Sequence, residues 1–106
     1  MSFNTSSQDV RIEGGHILKA RVQNEGGDFV DSEINLNDFL GNDDGRFDWS
    51  GQNFSETAEN ISFSIEGGAD VPVLRARLQK LDGEYVDADV NLAERVSNDN
   101  GRLSFS

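Results

Sequence analysis

Cysteine is missing from all 106 residues. Its absence excludes disulfides, thiolate nucleophiles and cysteine-ligated zinc. Small secreted domains usually rely on disulfide staples, so the composition points to a reducing compartment. The N-terminus, Met1-Ser2-Phe3-Asn4-Thr5, lacks the basic stretch and apolar core of a secretory leader. No apolar run approaches the ~20 residues of a membrane-spanning helix. The expected location is the cytoplasm, with leaderless export as the alternative route. Positive charge is scarce: 9 Lys and Arg face 20 Asp and Glu, a net charge of −11. That sign repels phosphate backbones and anionic lipid, so no nucleic acid or membrane partner is expected. A neutral ligand is unaffected. Histidine occurs once, as His16, without a partner for metal or triad chemistry, and reads as a surface or turn residue. Hydrophobic residues make up only 35%, so the core must be small. They are patterned rather than scattered, which argues against disorder.

What is present is a repeat. Shifted by 56 positions, Ile17-Leu18-Lys19-Ala20-Arg21-Val22-Gln23 falls on Val73-Leu74-Arg75-Ala76-Arg77-Leu78-Gln79. Ile34-Asn35-Leu36 falls on Val90-Asn91-Leu92, and Asn42-Asp43-Asp44-Gly45-Arg46 on Asn98-Asp99-Asn100-Gly101-Arg102. Upstream the offset is 51, pairing Phe3 with Phe54, Val10 with Ile61 and Ile12 with Phe63. The change places a five-residue insertion in the second copy, near Glu66-Gly67-Gly68-Ala69-Asp70. Two copies are too few for a solenoid. A pseudo-symmetric pair, with residues 1–51 and 52–106 as its repeats, is the expected organisation.

Within each copy, Leu18, Ala20 and Val22 alternate with Lys19 and Arg21, the period-2 pattern of a half-buried strand. Val30, Ser32, Ile34 and Leu36 give a second. Gly26-Gly27 and Asp82-Gly83 signal turns. Asn35 and Asn91 each cap a single helical turn, with Asp38 and Glu94 completing a capping box. Asn53 and Glu56 repeat that pattern. Asn-Asp-Asp-Gly and Asn-Asp-Asn-Gly predict tight hairpin turns, since Gly and Asn tolerate positive φ. Phe47 and Trp49, or Leu103 and Phe105, continue as a strand. Trp49 and the seven Phe residues sit mostly at core spacing, and no segment carries a long helical period.

In this order, twice over, these segments closely resemble the cyanovirin-N homologue family of lectins, over nearly the whole chain. Lack of cystines resembles its fungal members. The resemblance implies an all-β, cyanovirin-N-like fold of two pseudo-symmetric halves. Each has a triple-stranded sheet and a β-hairpin, with short single-turn helices, and the halves exchange segments within one domain, 1–106. Positions matching the founding member's two disulfides are Ser7 with Val22 and Ala58 with Leu78, where packing must substitute. The implied function is non-catalytic binding of mannose-rich glycans, especially terminal α1,2-linked mannose, in one pocket per half.

Sugar hydroxyls both donate and accept, so amides and carboxylates on a fixed backbone suit them, with no metal or cofactor. The middle pocket combines Asn42, Asp43, Asp44, Gln52, Asn53, Glu56 and Thr57, with Gln79 and Lys80 as its far wall. Gly41 and Leu81 depart from the founding member's acid and arginine. The terminal pocket combines Ser2, Thr5, Ser6, Gln23, Asn24 and Glu25 with Asn98, Asp99, Asn100 and Gly101. There Gln23 and Asn100 stand for acids. A protein-interaction or structural module with decayed pockets is the alternative. An EF-hand reading of Asn42 to Gly45 fails, because Leu40 and Gly51 would fall at ligand positions. No glycosidase motif is present, so no enzyme is expected. Expected partners are mannose-type oligosaccharides or high-mannose glycoproteins. The expected state is a monomer, with a domain-swapped dimer through a Ser50-Gly51-Gln52-Asn53 hinge as the alternative. Asn4, Asn53 and Asn60 lie in N-x-Ser/Thr sequons, and a glycan on Asn53 would block the middle pocket.

Overall fold

The computed structural model describes residues 3–67 and 70–106. Ser2 of the terminal pocket, and Gly68 and Ala69 of the insertion, lie outside them. The chain runs as a 3-10 turn η1 (Phe3–Ser6), strands β1 (Ser7–Glu13), β2 (Ile17–Gln23) and β3 (Phe29–Asn35), turn η2 (Leu36–Asp38), then a hairpin of β4 (Gly41–Asp43) and β5 (Arg46–Asp48). The order then repeats: η3 (Phe54–Thr57), β6 (Ala58–Glu66), β7 (Val71–Gln79), β8 (Tyr85–Asn91), η4 (Leu92–Glu94), β9 (Val96–Asp99) and β10 (Arg102–Phe105). Two three-stranded antiparallel sheets, β1-β2-β3 and β6-β7-β8, accompany the two hairpins. The fold is all-β, as the alternating pattern predicts.

Leu18, Ala20 and Val22 point inward from β2, and Leu74, Ala76 and Leu78 from β7. Phe3 and Phe54, each fully buried, are the equivalent plugs of the two copies. Cβ atoms alternate across a strand, so Lys19 and Arg21 face outward while their neighbours fill the core. The register is the same in both sheets: Ala20 faces Ser32 and Ala76 faces Ala88. Ser7 lies opposite Val22, and Ala58 opposite Leu78. The insertion lengthens the second hairpin. β6 and β7 have 9 residues each where β1 and β2 have 7.

Both outer strands carry a bulge that the sequence pattern did not announce. Pairing slips between Gln8 and Arg11 in β1 and between Glu59 and Ser62 in β6. The extra residue brings Asp9 and Asn60 to a φ of 54°. Asp and Asn are the side chains that enter this left-handed region most readily.

The hairpin turns match expectation. Asp44-Gly45 and Asn100-Gly101 have positive φ at both central residues, 49° and 90° in one and 49° and 89° in the other. That is the geometry whose twist fits two antiparallel strands. Each hairpin leans on the sheet of the other copy: β5 against β8 and β10 against β3. The middle half is therefore built from β4–β8, and the terminal half from β1–β3 with β9–β10.

Three local expectations change. Leu36 is not a strand residue but opens η2, fully buried. Trp49 follows the end of β5 rather than lying within it. The capping boxes are only half made. Asn35 and Asn91 accept from the backbone N–H of Asn37 and Ala93, but Glu94 accepts from Trp49 Nε1 (3.3 Å) instead of closing its box. Asn53 makes no side-chain cap, because it turns a left-handed corner at φ 62°. Its N–H donates to Asn37 O (2.9 Å), which draws the two turns together. Asn37 then serves η3 from outside, accepting from Ser55 N–H (3.2 Å) and donating to Ser55 Oγ (2.7 Å).

Candidate functional site

The middle site is organised by Asn42. Its Nδ2 donates to Thr57 Oγ1 (2.8 Å) and to the Gln79 carbonyl (2.8 Å), while its Oδ1 accepts from Gly45 N–H (2.8 Å). Three segments distant in sequence thus meet at one amide. Beside it Asp44 Oδ1 accepts from Leu81 N–H (3.0 Å), tying the hairpin tip to the β7–β8 turn. Gly45 has to be glycine here. A Cβ would stand 2.6 Å from Val86 Cγ2 and 3.0 Å from Lys80 Cγ, at a φ of 90°. Among the described residues the carboxylates of Asp43 and Glu56 make no hydrogen bond or ion pair. Both are exposed.

The terminal site repeats this arrangement. Asn98 Nδ2 donates to Ser6 Oγ (2.9 Å) and the Gln23 carbonyl (2.8 Å), and Asn98 Oδ1 accepts from Gly101 N–H (2.9 Å). Asn100 Oδ1 accepts from Glu25 N–H (2.9 Å). Gly101 is hemmed in likewise, with Val30 Cγ2 2.8 Å from where a Cβ would be. Asp99 and Glu25 are exposed, and among the described residues their carboxylates make no hydrogen bond or ion pair.

The remaining candidates divide between pocket and scaffold. Asn24 Oδ1 accepts from Gly26 and Asp28 N–H (3.0 Å each), and Gln23 Nε2 donates to Gly27 O (3.3 Å), so both amides shape the β2–β3 turn. Thr5 lies in η1 beside Ser6. Lys80 Nζ stands 3.8 Å from Asp82. Gln52 Nε2 donates to the Asp38 carbonyl (3.3 Å). Gln52 also edges a neighbouring concavity of about 290 Å³ walled by Asp38, Phe39 and Trp49. Phe39 stacks there on Phe105 (4.2 Å between centroids) and on Trp49 (6.1 Å). Phe39 and Trp49 pack against the core, whereas Phe105 remains 37% exposed. Sequence spacing marked these rings as core, and gave no sign that three of them would form one cluster.

Gly41, which departs from the founding member's acid, has a steric cause. Any Cβ there would come within 2.8 Å of Gly51 Cα and Gln52 N. The two glycine backbones touch, so residue 41 cannot contribute a side chain. His16, read as a turn residue, does lie in a turn, its Nδ1 within 3.1 Å of Asn35 Oδ1.

Electrostatics at the linker is local. Asp48 Oδ1 accepts from Ser50 Oγ (2.7 Å) and Ser50 N–H (3.0 Å). The hydroxyl bond first, then the backbone bond, holds the Asp48 carboxyl below its ordinary value. At the end of β1, hydrogen bonds from Arg11 and then Lys19 lower Glu13 in the same way.

Two hairpins, each clipped by an asparagine onto the sheet of the other copy, define a duplicated all-β protein of the cyanovirin-N type. The family model described as the CVNH domain matches residues 3–104, and the chain belongs to that family. It is similar to a cyanovirin-N homologue of Neurospora crassa, 50% identical over 107 residues that cover 97% of this chain and 96% of that one. The NMR structure of the Gibberella zeae CVNH is 50% identical, with a TM-score of 0.92 over 98% of this chain and 96% of that one. Microvirin, solved as a mannobiose complex, is 25% identical, with a TM-score of 0.88 over 99% and 98% of the two chains.

Proposed function

We propose that the chain is a non-catalytic lectin for mannose-rich glycans, favouring terminal α1,2-linked mannose, with one polar pocket per half. The observation that carries this reading is the duplicated clip. Asn42 and Asn98 use both amide hydrogens internally, and so hold Asp43 and Asp99 at the surface beside fixed turn backbone. Carboxylates held this way can each accept from two adjacent hydroxyls. The mannobiose complex of microvirin supports a mannoside as the ligand. Small polar ligands give modest energy per atom, so each pocket binds weakly and two pockets on one branched glycan supply avidity. A dimer exchanging halves through residues 50–53 would raise the valency further, and size-exclusion chromatography of concentrated protein tests for it.

The deciding measurement is an NMR titration with α1,2-mannobiose. Saturable shifts are expected at 42–45 and 79–81, at 23–25 and 98–101, or at both. Unmoved amides at millimolar sugar would overturn the proposal. One observation favours a second reading, a protein-interaction module with decayed pockets. The amides expected to grip sugar, those of Asn42, Asn98, Gln23 and Asn24, are already engaged within the protein. A pull-down recovering a protein, undisturbed by excess mannoside, would favour it.

A further inference from the structure

The two candidate pockets share their clip and their turn, but not their lip. Where the terminal pocket has Asn24 and Glu25, the middle pocket has Lys80 and Leu81. Leu81 is 92% exposed, against 39% for Val30 and 45% for Ile65. Isolated surface leucines are common and usually mean nothing. This one is placed by a specific bond: its N–H donates to Asp44 Oδ1 (3.0 Å), which fixes its backbone at the pocket edge. Next to it the methylene stem of Lys80 lies over Gly45, so close that a Cβ on that glycine would meet Lys80 Cγ at 3.0 Å. Lysine stems commonly cover apolar surface in this way while the ammonium stays in water. The lip is therefore apolar over Lys80 and Leu81, beside carboxylates that face solvent. In the terminal pocket the same backbone bond runs from Glu25 N–H to Asn100 (2.9 Å), and a carboxylate occupies the position of the leucine.

Resting on the lectin reading, we infer that Leu81 makes the middle pocket selective for mannosides that carry an apolar substituent next to the gripped sugar, a preference the terminal pocket lacks. A hydroxyl-lined pocket fixes the sugar's polar edge. The group attached to that sugar then passes the lip, where an apolar substituent removes Leu81 from water and a hydroxyl-rich one does not. At the terminal lip the same substituent would have to desolvate Glu25, which opposes binding.

The test compares free α1,2-mannobiose with its 4-nitrophenyl glycoside by NMR on the intact chain, each pocket read from its own amides. The aryl glycoside is expected to bind the middle pocket roughly three- to tenfold more tightly than the free disaccharide, with no gain at the terminal pocket. Leu81→Glu should abolish the gain, and Glu25→Leu should confer it on the terminal pocket. An equal gain in both pockets, or a gain that survives Leu81→Glu, overturns the inference while leaving the lectin reading intact. No shift with either sugar overturns both. Retained amide dispersion in each variant excludes misfolding as the cause.

Discussion

The middle half is drawn from one continuous stretch, β4 to β8, whereas the terminal half joins the first strands of the chain to its last hairpin. Both reach the same architecture. Asn42 spans 37 residues to Gln79, and Asn98 spans 75 to Gln23, yet each amide makes the same three bonds. Sequence separation is an entropic matter settled once the chain has folded, and closure cost grows only slowly with loop length. What differs in the finished molecule is chemistry at matched positions: Asp44 against Asn100, Leu81 against Glu25, and a longer β6–β7 hairpin against β1–β2. The comparison shows the same clip built twice, from Asn42 and Asn98, beneath lips of different chemistry.

Matched substitutions can break that equivalence. Gly45→Ala and Gly101→Ala each add a Cβ at positive φ within 3 Å of a packed neighbour, at 2.6 Å and 2.8 Å respectively. Each should cost about 3 kcal/mol in chemical denaturation. Gly83→Ala is the control: its φ is 93° but nothing lies within 4 Å, so it should cost only about 1 kcal/mol. Equal costs for all three would mean that the hairpins do not press on the sheets as described. Asn42→Ala and Asn98→Ala come next. Each leaves a backbone carbonyl, a hydroxyl and a glycine N–H without a partner, a loss of about 2 kcal/mol. The two should agree within about 0.5 kcal/mol, and a wide gap would show that one clip is dispensable.

Paired cysteines sharpen the contrast further. Ser7→Cys with Val22→Cys should raise stability by roughly 2 kcal/mol when oxidised, since the residues are strand partners. Ala58→Cys with Leu78→Cys should gain less, about 1 kcal/mol, because fully buried Leu78 gives up volume to a smaller side chain. The smallest effect concerns pH. Asp48 and Glu13 are lowered in the folded state, so each favours folding above its ordinary carboxylate value. That contribution fades as pH falls from the ordinary carboxylate range through the lowered folded value. Asp48→Asn should flatten this acid limb slightly in urea melts at pH 3–5, and an unchanged limb would deny Asp48 any role in bracing the linker.

Much of the fold was legible because strand and turn chemistry are local. The inward faces of β2 and β7 follow from alternation, and Asp44-Gly45 and Asn100-Gly101 follow from tolerance of positive φ. The caps at Asn35 and Asn91 follow from side-chain geometry. What escaped depends on contacts between segments. Asn37 caps η3 because Asn53 and Phe54 run beside it. Gly41 is bare because Gly51 presses on it. The bulges at Asp9 and Asn60 appear only once β1 and β6 are paired. For the candidate pockets, residue types named segments that the fold does bring together, Asn42 with Thr57 and Gln79 and Asn98 with Ser6 and Gln23. They could not show that Asn42 and Asn98 hold the scaffold, because an amide in a turn looks the same whichever way its hydrogens point.

The hydrogen bond from Asn98 to Ser6 spans 92 residues. During synthesis, then, the first sheet emerges from the ribosome long before the hairpin that must cover it. The middle half has all its strands, β4 to β8, once residue 91 is out, and is expected to fold first. A nascent chain arrested before β9 is expected to protect residues 41–91 from protease while 3–35 remain cleavable. Such a lag would leave the apolar face of β2 as the surface most in need of a chaperone.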